Sequence, residues 1–292
     1  MKRFSGFEEI VERDKLLGPL TTFKLGGPTE FFIRPRNEEE LRGVLEVCAK
    51  AELPIHVLGN GSNVLVPDEG VRGAVIQLDP KGFGGFEVEE DLVRVGASLS
   101  LSKLVREAAR AHLSGLEALV GIPGWVGGAI KMNAGGAFGD IGQTIERVKV
   151  MDTRGQVFTR ERDDLAFGYR SSNINARFIL EAEMRLMSDD EKRIARQMKE
   201  IWFHKKNSQP MANRSAGCVF KNPRGMSAGA LIDQAGLKGA KVGGASVSRK
   251  HANYVLAGEG CTAADVRALV DLIRKTVHER NDIYLELEIE IW

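Results

Sequence analysis

The spacing of apolar residues predicts alternating helices and strands in the first third of the chain. Asn37 and Glu40 have the spacing of a capping box, so a helix should begin there. An apolar stripe at helical spacing continues the same helix: Leu41, Val44, Leu45 and Cys48. Short apolar runs at 55–58, 64–66 and 74–78 predict buried strands. The first predicted subdomain therefore ends near residue 79.

The middle of the chain has the period-two pattern of strands. Residues 86–96 predict a hairpin that turns at Glu90 and Asp91, and a second hairpin should turn at 152–155. Ser100 is placed to cap a helix, and residues 178–186 predict another strand. Residues 121–139 follow no period, because seven of these nineteen residues are glycine. We predict a second subdomain over 80–187.

The last third returns to helical spacing. Ser188 and Glu191 predict the start of a helix whose apolar stripe is Ile194, Met198, Ile201 and Trp202. Thr262 and Asp265 predict the cap of a long helix. Residues 283–291 alternate strictly, which predicts a final strand with one face bearing Glu286, Glu288 and Glu290. The order of elements indicates an α+β protein with domains at 1–79, 80–187 and 188–292.

Composition narrows the class of protein. The formal net charge is +1 over 292 residues, so nucleic acid and anionic membranes are not favoured partners. The N-terminus lacks the apolar region of a secretory signal, and no uninterrupted apolar stretch reaches the roughly 20 residues that span a bilayer. Three widely spaced cysteines form neither a disulfide framework nor a zinc site. The sequence predicts a reduced, cytoplasmic α/β-containing protein with no metal.

Two glycine-rich stretches are candidates for ligand binding. Residues 58–63 follow a predicted strand but match neither a Walker A loop nor a dinucleotide fingerprint, since Val64 replaces the third glycine. Consecutive amides could still hold an anion there, or the segment could be a plain turn between strands. The glycines of 121–139 each cost about 0.5–1 kcal/mol of backbone entropy, which favours close approach of a ligand over a cluster of turns. These patterns leave FAD and a nucleotide-sugar as alternatives.

Candidate chemical groups are scattered in the sequence. Lys205 and Gln209 lie near a predicted helix end, where lysines ordinarily complement the helix dipole in solvent. Arg170 follows a tyrosine in a predicted loop, and Cys218 follows Gly217 ahead of apolar residues. An unperturbed thiol has a pKa of about 8.5, so at neutral pH it can donate a proton. None of these spacings forms a catalytic triad or a metal cluster, and the reaction remains unassigned by the residues alone.

Several longer segments resemble one known family in their order along the chain. They are TTFKLGGP, LGNGSNVLV, GIPGWVGGAIKMNAGG, FGYRSS, SAGCVFKNP, LIDQAGLKG, KHANYV and the terminal LELEIE. Together these segments resemble the UDP-N-acetylenolpyruvoylglucosamine reductase family, specifically its branch without a tyrosine-bearing insertion. The resemblance implies an α+β architecture. An FAD-binding fold of the PCMH or vanillyl-alcohol-oxidase type, in two subdomains, would be followed by a C-terminal substrate-binding domain.

The resemblance also implies cofactors and site residues. NADPH would reduce bound FAD, and a monomeric enzyme would then reduce the enolpyruvyl ether of a UDP-sugar for peptidoglycan synthesis. The implied FAD-binding positions are Asn60, Gly61, Ser62, Asn63, Gly121, Pro123, Gly124, Gly127, Gly128, Ala129, Asn133 and Gly135. The implied substrate-binding positions are Tyr169, Lys205, Gln209, Asn222 and Gln234.

The resemblance implies three catalytic residues. Arg170 and Glu288 would stabilise the negative charge that develops on the substrate, and a third residue would supply a proton. That third position, commonly serine in the family, is Cys218 here. Two rival hypotheses remain: a flavin-dependent oxidase of small alcohols on the same fold, and a nucleotide-sugar-binding protein without catalytic activity.

Overall fold

The computed structural model describes residues 2–292, which form two compact units. Unit 1 holds Phe31–Asn60 and Arg72–Lys205 together with the N-terminal residues up to Arg13. Unit 2 holds Asp14–Glu30, Gly61–Val71 and Lys206–Trp292. The predicted division at residues 80 and 188 stays a prediction. Side chains from both predicted N-terminal subdomains, such as Leu41 and Val148, share one hydrophobic core in unit 1.

Helices and strands alternate along the described chain. The α-helices are α1 (Glu38–Lys50), α2 (Pro80–Phe83), α3 (Leu101–Arg110), α4 (Val126–Lys131), α5 (Glu191–Ser208), α6 (Ala228–Gln234) and α7 (Ala263–Asn281). The first ten strands are β1 (Val11–Leu16), β2 (Pro28–Ile33), β3 (Ile55–Val57), β4 (Val64–Leu65), β5 (Val71–Ile76), β6 (Phe86–Glu89), β7 (Leu92–Gly96), β8 (Leu113–Ser114), β9 (Gly135–Gly136) and β10 (Gly139–Asp140). The later strands are β11 (Ile145–Met151), β12 (Val157–Glu161), β13 (Phe167–Gly168), β14 (Ser171–Ser172), β15 (Phe178–Arg185), β16 (Met187–Ser188), β17 (Lys241–Val242), β18 (Ala245–Val247), β19 (Val255–Ala257) and β20 (Glu290–Ile291).

The larger β-sheets form the framework of the fold. A five-stranded antiparallel sheet in unit 1 has the order β12-β11-β15-β7-β6. A four-stranded sheet has the order β1-β2-β5-β3, with β3 parallel to β5. Unit 2 contains a three-stranded antiparallel sheet of β17, β18 and β19. Within residues 2–292, no helix is both long enough and apolar enough to cross a bilayer.

Local sequence patterns placed several elements correctly. The Asn37 side chain accepts a hydrogen bond from the amide of Glu40 at 2.9 Å, and the predicted stripe of α1 is buried. The predicted capping box is incomplete, because the Glu40 carboxylate accepts from the Arg36 amide instead. Ser100 caps α3, and the predicted hairpin turns at Glu90, whose φ is +55°. Thr262 and Asp265 form the predicted reciprocal capping box of α7.

Two predictions about α5 were wrong. Ser188 belongs to a strand that pairs with β8, and the side chain of Asp190 caps α5 instead. Trp202 does not continue the buried stripe of α5, since 39% of its surface is exposed. The glycine-rich segment, for which no helix or strand was predicted, contains α4. Two of the six residues of α4 are glycine, a poor helix former, which explains why no helix was predicted there.

The predicted C-terminal strand is divided between two partners. Phe220 forms an isolated antiparallel bridge with Leu287, whereas β20 pairs in parallel with β4. Only Glu290–Ile291 has regular strand pairing, so the prediction of one continuous strand was wrong. Strict alternation predicts which residues share each face of an extended chain. It does not predict the neighbouring strand, which can change along the chain.

In unit 2, Asp68 links the segment 61–71 to the start of α7. Its carboxylate oxygens accept hydrogen bonds from the amides of Ala263 and Ala264 at 2.8 and 2.9 Å. The first amides of a helix have no partner within the helix, and a carboxylate there also interacts favourably with the helix dipole. Asp68 therefore anchors residues 61–71 to the longest helix of unit 2.

We expect Asp68→Ala to lower the free energy of unfolding by about 1–2 kcal/mol, the usual cost of losing a helix cap. Asp68→Asn keeps one oxygen acceptor and should lose less. Urea unfolding followed by circular dichroism measures both changes, with the exposed neighbour variant Glu69→Ala as the control. Equal midpoints for Asp68→Ala and Glu69→Ala would contradict the anchoring role.

Candidate active site

Helix α4 starts where two backbone amides of the glycine-rich segment reach the end of β7. Gly127 donates to the Ala97 carbonyl at 2.8 Å, and Val126 donates to the Leu99 carbonyl at 2.9 Å. A Cβ on Gly127 would lie 3.0 Å from that of Ala97, so glycine permits the close approach. Gly128 is exposed, and its Cβ position has no atom within 4 Å. Packing thus explains Gly127, while Gly128 presents bare backbone to open space.

The remaining predicted cofactor positions of this segment have different surroundings. Gly121 and Gly124 have φ values of +75° and +158°. Pro123 is exposed, whereas Ala129 is buried within α4. A Cβ on Gly135 would lie 2.3 Å from the Gly139 carbonyl oxygen, so the β9–β10 hairpin itself requires that glycine.

The other glycine turn begins in unit 1, directly after β3. Gln77 donates its side-chain amide to the Gly59 carbonyl at 2.8 Å. The Leu58 backbone amide donates to the Ile76 carbonyl at 2.9 Å, so the turn begins beside the last residue of β5. Gly59 has no atom within 4 Å of its Cβ position, and Asn60 is half-buried. Gln77 was not among the predicted site residues, although a polar side chain inside the apolar run 74–78 was a usable signal.

Residues Gly61, Ser62 and Asn63 belong to unit 2. Gly61 has φ +66°, and a Cβ there would lie 2.2 Å from the Leu20 carbonyl oxygen. Ser62 is half-buried. Asn63 donates its side-chain amide to the Glu288 carbonyl at 2.9 Å, and its own carbonyl accepts from the Glu290 amide. A predicted cofactor residue thus braces the backbone of a predicted catalytic residue.

Arg170 occupies a tight turn between β13 and β14 in unit 1. Its φ is +53°, a left-handed conformation that residues other than glycine rarely adopt. The guanidinium carbon lies 5.2 Å from the centroid of the Tyr169 ring, a cation–π arrangement. Tyr169 has 53% of its surface exposed. The turn therefore presents a half-buried cation beside an accessible aromatic ring.

Three hydrogen bonds hold this turn against α4. Asn133 donates its side-chain amide to the Gly168 carbonyl at 2.9 Å. The Ser172 hydroxyl donates to the Lys131 carbonyl at 2.9 Å, and the Lys131 ammonium donates to the Ile174 carbonyl. The end of the glycine-rich segment consequently determines where the backbone of the arginine turn lies.

Lys205 is buried, contrary to the expectation of a solvated helix end. The helix α5 extends to Ser208, so Lys205 lies inside it with only 7% of its surface exposed. Its ammonium donates to the carbonyls of Ala118 and Val120 at 2.8 and 2.7 Å, just before the glycine-rich segment. Burial, and secondly the positive charge of Arg170, lower the pKa of Lys205 to about 8.

Cys218 and Glu288 lie in unit 2, and a backbone hydrogen bond joins Glu288 to the residue after Cys218. The amide of Glu288 donates to the carbonyl of Val219 at 2.8 Å, directly after the half-buried Cys218. Asn253, 3% exposed, accepts from the Phe220 amide and donates to the Phe220 carbonyl. Asn253 was not among the predicted site residues, yet its two hydrogen bonds hold the backbone of the segment that carries Cys218.

Three predicted substrate-binding residues lie elsewhere in unit 2. Gln209 is half-buried directly after α5, and Gln234 is exposed at the end of α6. Asn222 accepts a hydrogen bond from the Ala228 amide at 3.0 Å, so its side chain also supports the start of α6. Among residues 2–292, no group of three or more His, Cys, Asp or Glu side chains is placed to hold a metal.

The residues of unit 1 fit the FAD implied by the sequence. Gly59 and Gly128 leave backbone uncovered by side chains, which lets a flat or pyrophosphate-bearing ligand approach the main chain. Asn60 adds a polar side chain beside the first of these openings. Asn133 is different, because both polar groups of its side chain already bond to the protein backbone.

Two family profiles match parts of the chain. Residues 29–160 match the family profile described as an FAD binding domain. Residues 209–292 match the profile described as the C-terminal domain of UDP-N-acetylenolpyruvoylglucosamine reductase.

Curated relatives carry the same description over nearly the whole chain. The UDP-N-acetylenolpyruvoylglucosamine reductase of Bacillus velezensis is 36% identical over 286 residues, covering 97% of this chain and 94% of the relative. That of Syntrophobacter fumaroxidans is 43% identical over 277 residues, covering 93% of this chain and 80% of the relative.

Solved structures confirm the predicted α+β class with an FAD-binding fold. The crystal structure of UDP-N-acetylenolpyruvylglucosamine reductase from Thermus caldophilus has a TM-score of 0.83 and 43% identity, covering 97% of this chain and 98% of its own. The glucose dehydrogenase Phl p 4.0202 has a TM-score of 0.50 at 13% identity, covering 63% and 42% of the two chains, which shows likeness of fold alone. The chain belongs to the UDP-N-acetylenolpyruvoylglucosamine reductase family.

Proposed function

We propose that this protein reduces the enolpyruvyl group of UDP-N-acetylenolpyruvoylglucosamine to give UDP-N-acetylmuramate, with FAD as cofactor and NADPH as hydride donor. Family membership and the FAD-binding region support this proposal. The observation that carries it is the half-buried cation of Arg170, which the β13–β14 turn presents beside the exposed Tyr169 ring in unit 1.

Positive charge around Arg170 favours the binding of an anion. Burial, and secondly the charge of Arg170, lower the pKa of Lys205, so the two cations act on the same region. An anionic group beside Arg170 is attracted by both charges. The proposed substrate brings a carboxylate, and its negative charge extends onto the α-carbon during the reaction. Fixed positive charge at that place stabilises the transition state more than the ground state.

The chemistry requires one hydride and one proton. When bound by unit 1, FAD would supply the hydride that the reaction requires. Arg170 binds the carboxylate and stabilises the charge that develops there. The Cys218 thiol delivers its proton to the α-carbon, completing the saturated lactyl ether.

Glu288 has the role of an orienting carboxyl in this proposal. It is half-buried, unlike Glu286 and Glu290, which are exposed on the same segment. Hydrogen bonds to Val219 and Asn63 hold its backbone on both sides. Its partial burial therefore distinguishes Glu288 from the other two glutamates.

Substrate contacts follow the sequence prediction with one change. Tyr169, Gln209, Asn222 and Gln234 stay proposed contacts of the nucleotide-sugar. Lys205 acts on the substrate through its charge and its hold on the loop at 118–120, since its ammonium is already bonded to two carbonyls.

The cellular setting is part of the proposal. We place the enzyme in the cytoplasm as a monomer that supplies peptidoglycan precursors for wall growth, cell shape and division. Three cysteines without disulfides suit a reducing compartment. A formal net charge of +1 suits a small-molecule substrate rather than a polyanionic partner such as nucleic acid.

Absorption spectra under anaerobic conditions test the function directly. The purified protein should show the visible bands of bound flavin, NADPH should bleach them, and UDP-N-acetylenolpyruvoylglucosamine should restore them. UDP-N-acetylglucosamine, which lacks the enolpyruvyl group, is the control and should leave the flavin reduced. Recovery of the bands with oxygen alone would favour an oxidase, and a colourless protein that binds UDP-sugars without FAD would favour a binding protein.

Variants at Cys218 test the source of the proton. Cys218→Ala should leave flavin reduction by NADPH unchanged and slow reoxidation by substrate about 100-fold or more, the usual scale of general acid catalysis. Cys218→Ser should retain substantial turnover because the hydroxyl can also donate. Stopped-flow absorbance separates the two half-reactions. Normal turnover of the alanine variant would assign the proton to another group.

The pKa of Lys205 predicts a loss of rate at alkaline pH. As pH rises through about 8, Lys205 loses its positive charge, so kcat/KM for the enolpyruvyl substrate should fall. A bound anion favours the charged lysine, so the fall in kcat should occur at higher pH than the fall in kcat/KM.

Two variants separate this lysine from other titrating groups. The profile is best measured in a Cys218→Ser background, since an ordinary thiol also ionises near pH 8.5. Adding Lys205→Met should abolish the fall near pH 8, whereas Lys206→Met, at the exposed neighbour, should preserve it. An unchanged profile with Lys205→Met would refute the assignment.

A further inference from the structure

We propose that Asn133 is a positioning residue that sets the place of Arg170, rather than a ligand of FAD. The inference rests on the proposed function of Arg170. It assigns to Asn133 a role in one half of the reaction only, which the sequence does not indicate.

Both ends of the Asn133 amide are bonded to backbone groups of unit 1. Its nitrogen donates to the Gly168 carbonyl at 2.9 Å, and its oxygen accepts from the Gly142 amide at 3.0 Å. Asn133 has only 4% of its surface exposed. The buried amide therefore joins three segments of backbone, at residues 133, 142 and 168. Loss of either bond would be costly, because it would leave a buried polar group without a partner.

The local conformation favours asparagine at this position. Asn133 has φ +46°, in the left-handed region that asparagine tolerates better than most residues. It follows α4 directly, so the amide points away from the end of that helix toward the β13–β14 turn. The surroundings are also closely packed, since a Cβ on Gly142 would lie 2.8 Å from the Asn133 oxygen.

The contact with Gly168 lies two residues before Arg170. Between them is only Tyr169, so a shift of the Gly168 carbonyl moves the turn that carries the guanidinium. A misplacement of about 1 Å in a catalytic group can slow a reaction on the order of 100-fold. Asn133 therefore controls catalysis through the backbone of Arg170 without touching the reacting atoms.

Asn173 provides a matched control in the same hairpin. Its side chain also donates to a carbonyl, that of Asp164 at 2.9 Å, and accepts from an amide, that of Ala166 at 3.0 Å. Asn173 is exposed, and these bonds do not reach α4 or the glycine-rich segment. Asn133→Asp and Asn173→Asp thus remove the same kind of hydrogen bond at two places. The bond of Asn133 joins the Arg170 turn to the end of α4, whereas the bond of Asn173 does not.

The test uses Asn133→Asp, Asn133→Gly and Asn173→Asp in the FAD-bound enzyme. The aspartate at 133 keeps the acceptor for Gly142 but loses the donor to Gly168. Glycine accepts the positive φ and removes the whole amide without adding charge. Both variants at 133 should retain FAD and its reduction by NADPH, while reoxidation by the enolpyruvyl substrate slows on the order of 100-fold. Asn173→Asp should match the wild type.

Hydrogen–deuterium exchange gives a readout independent of activity. In Asn133→Gly, the amide of Gly142 and the segment 167–172 should exchange faster, while α3 should exchange at the wild-type rate. Loss of FAD from both variants at 133 would overturn the proposal in favour of cofactor binding. Equal slowing of both half-reactions, or unchanged reoxidation, would overturn it as well. A wild-type enzyme that the enolpyruvyl substrate does not reoxidise would instead refute the proposed function, and the positioning role with it.

Discussion

The approach of the glycine-rich segment to the end of β7 is the constraint on which unit 1 depends. Gly127 can donate to the Ala97 carbonyl at 2.8 Å only because no side chain separates the two backbones. This contact sets the start of α4. The end of α4 then sets Asn133, and Asn133 holds the turn of Arg170. The close contact at Gly127 thereby influences, through α4 and Asn133, the position of Arg170, a predicted catalytic residue.

The cost of this arrangement explains the composition of the segment. Glycines at Gly121, Gly124 and Gly128 lose conformational entropy on folding and form no side-chain contacts in return. At Gly128 the bare backbone meets open space, which packing alone does not require. Ligand binding gives a physical reason for that glycine, and the match of residues 29–160 to an FAD binding domain names the ligand.

Electrostatics adds a second layer to the same region. Lys205 is buried against two carbonyls, and its charge lies close enough to Arg170 for the repulsion to shift its pKa. Both cations therefore contribute positive potential to the region around Arg170, and that potential attracts an anion.

The predictable part of the fold was local. Ser100 and Thr262 cap their helices as expected, and the stripe of α1 is buried, because these effects act within one or two helical turns. The same reasoning failed for the C-terminal segment. Its alternating pattern correctly placed Leu285, which is buried, and Glu286, which is exposed, on different faces. The pattern did not predict that the pairing partner changes between residues 287 and 290.

Local patterns along the chain predicted the caps of α3 and α7, the apolar stripe of α1 and, through the longer motifs, the family. The partners of the buried polar side chains could not be predicted in this way. Lys205 reaches carbonyls 85 and 87 residues away, Asn133 reaches one 35 residues away, and Asp68 reaches a helix 195 residues away. The physical reason is that a buried donor needs a partner in space, and the chain brings that partner near only when the whole core has formed.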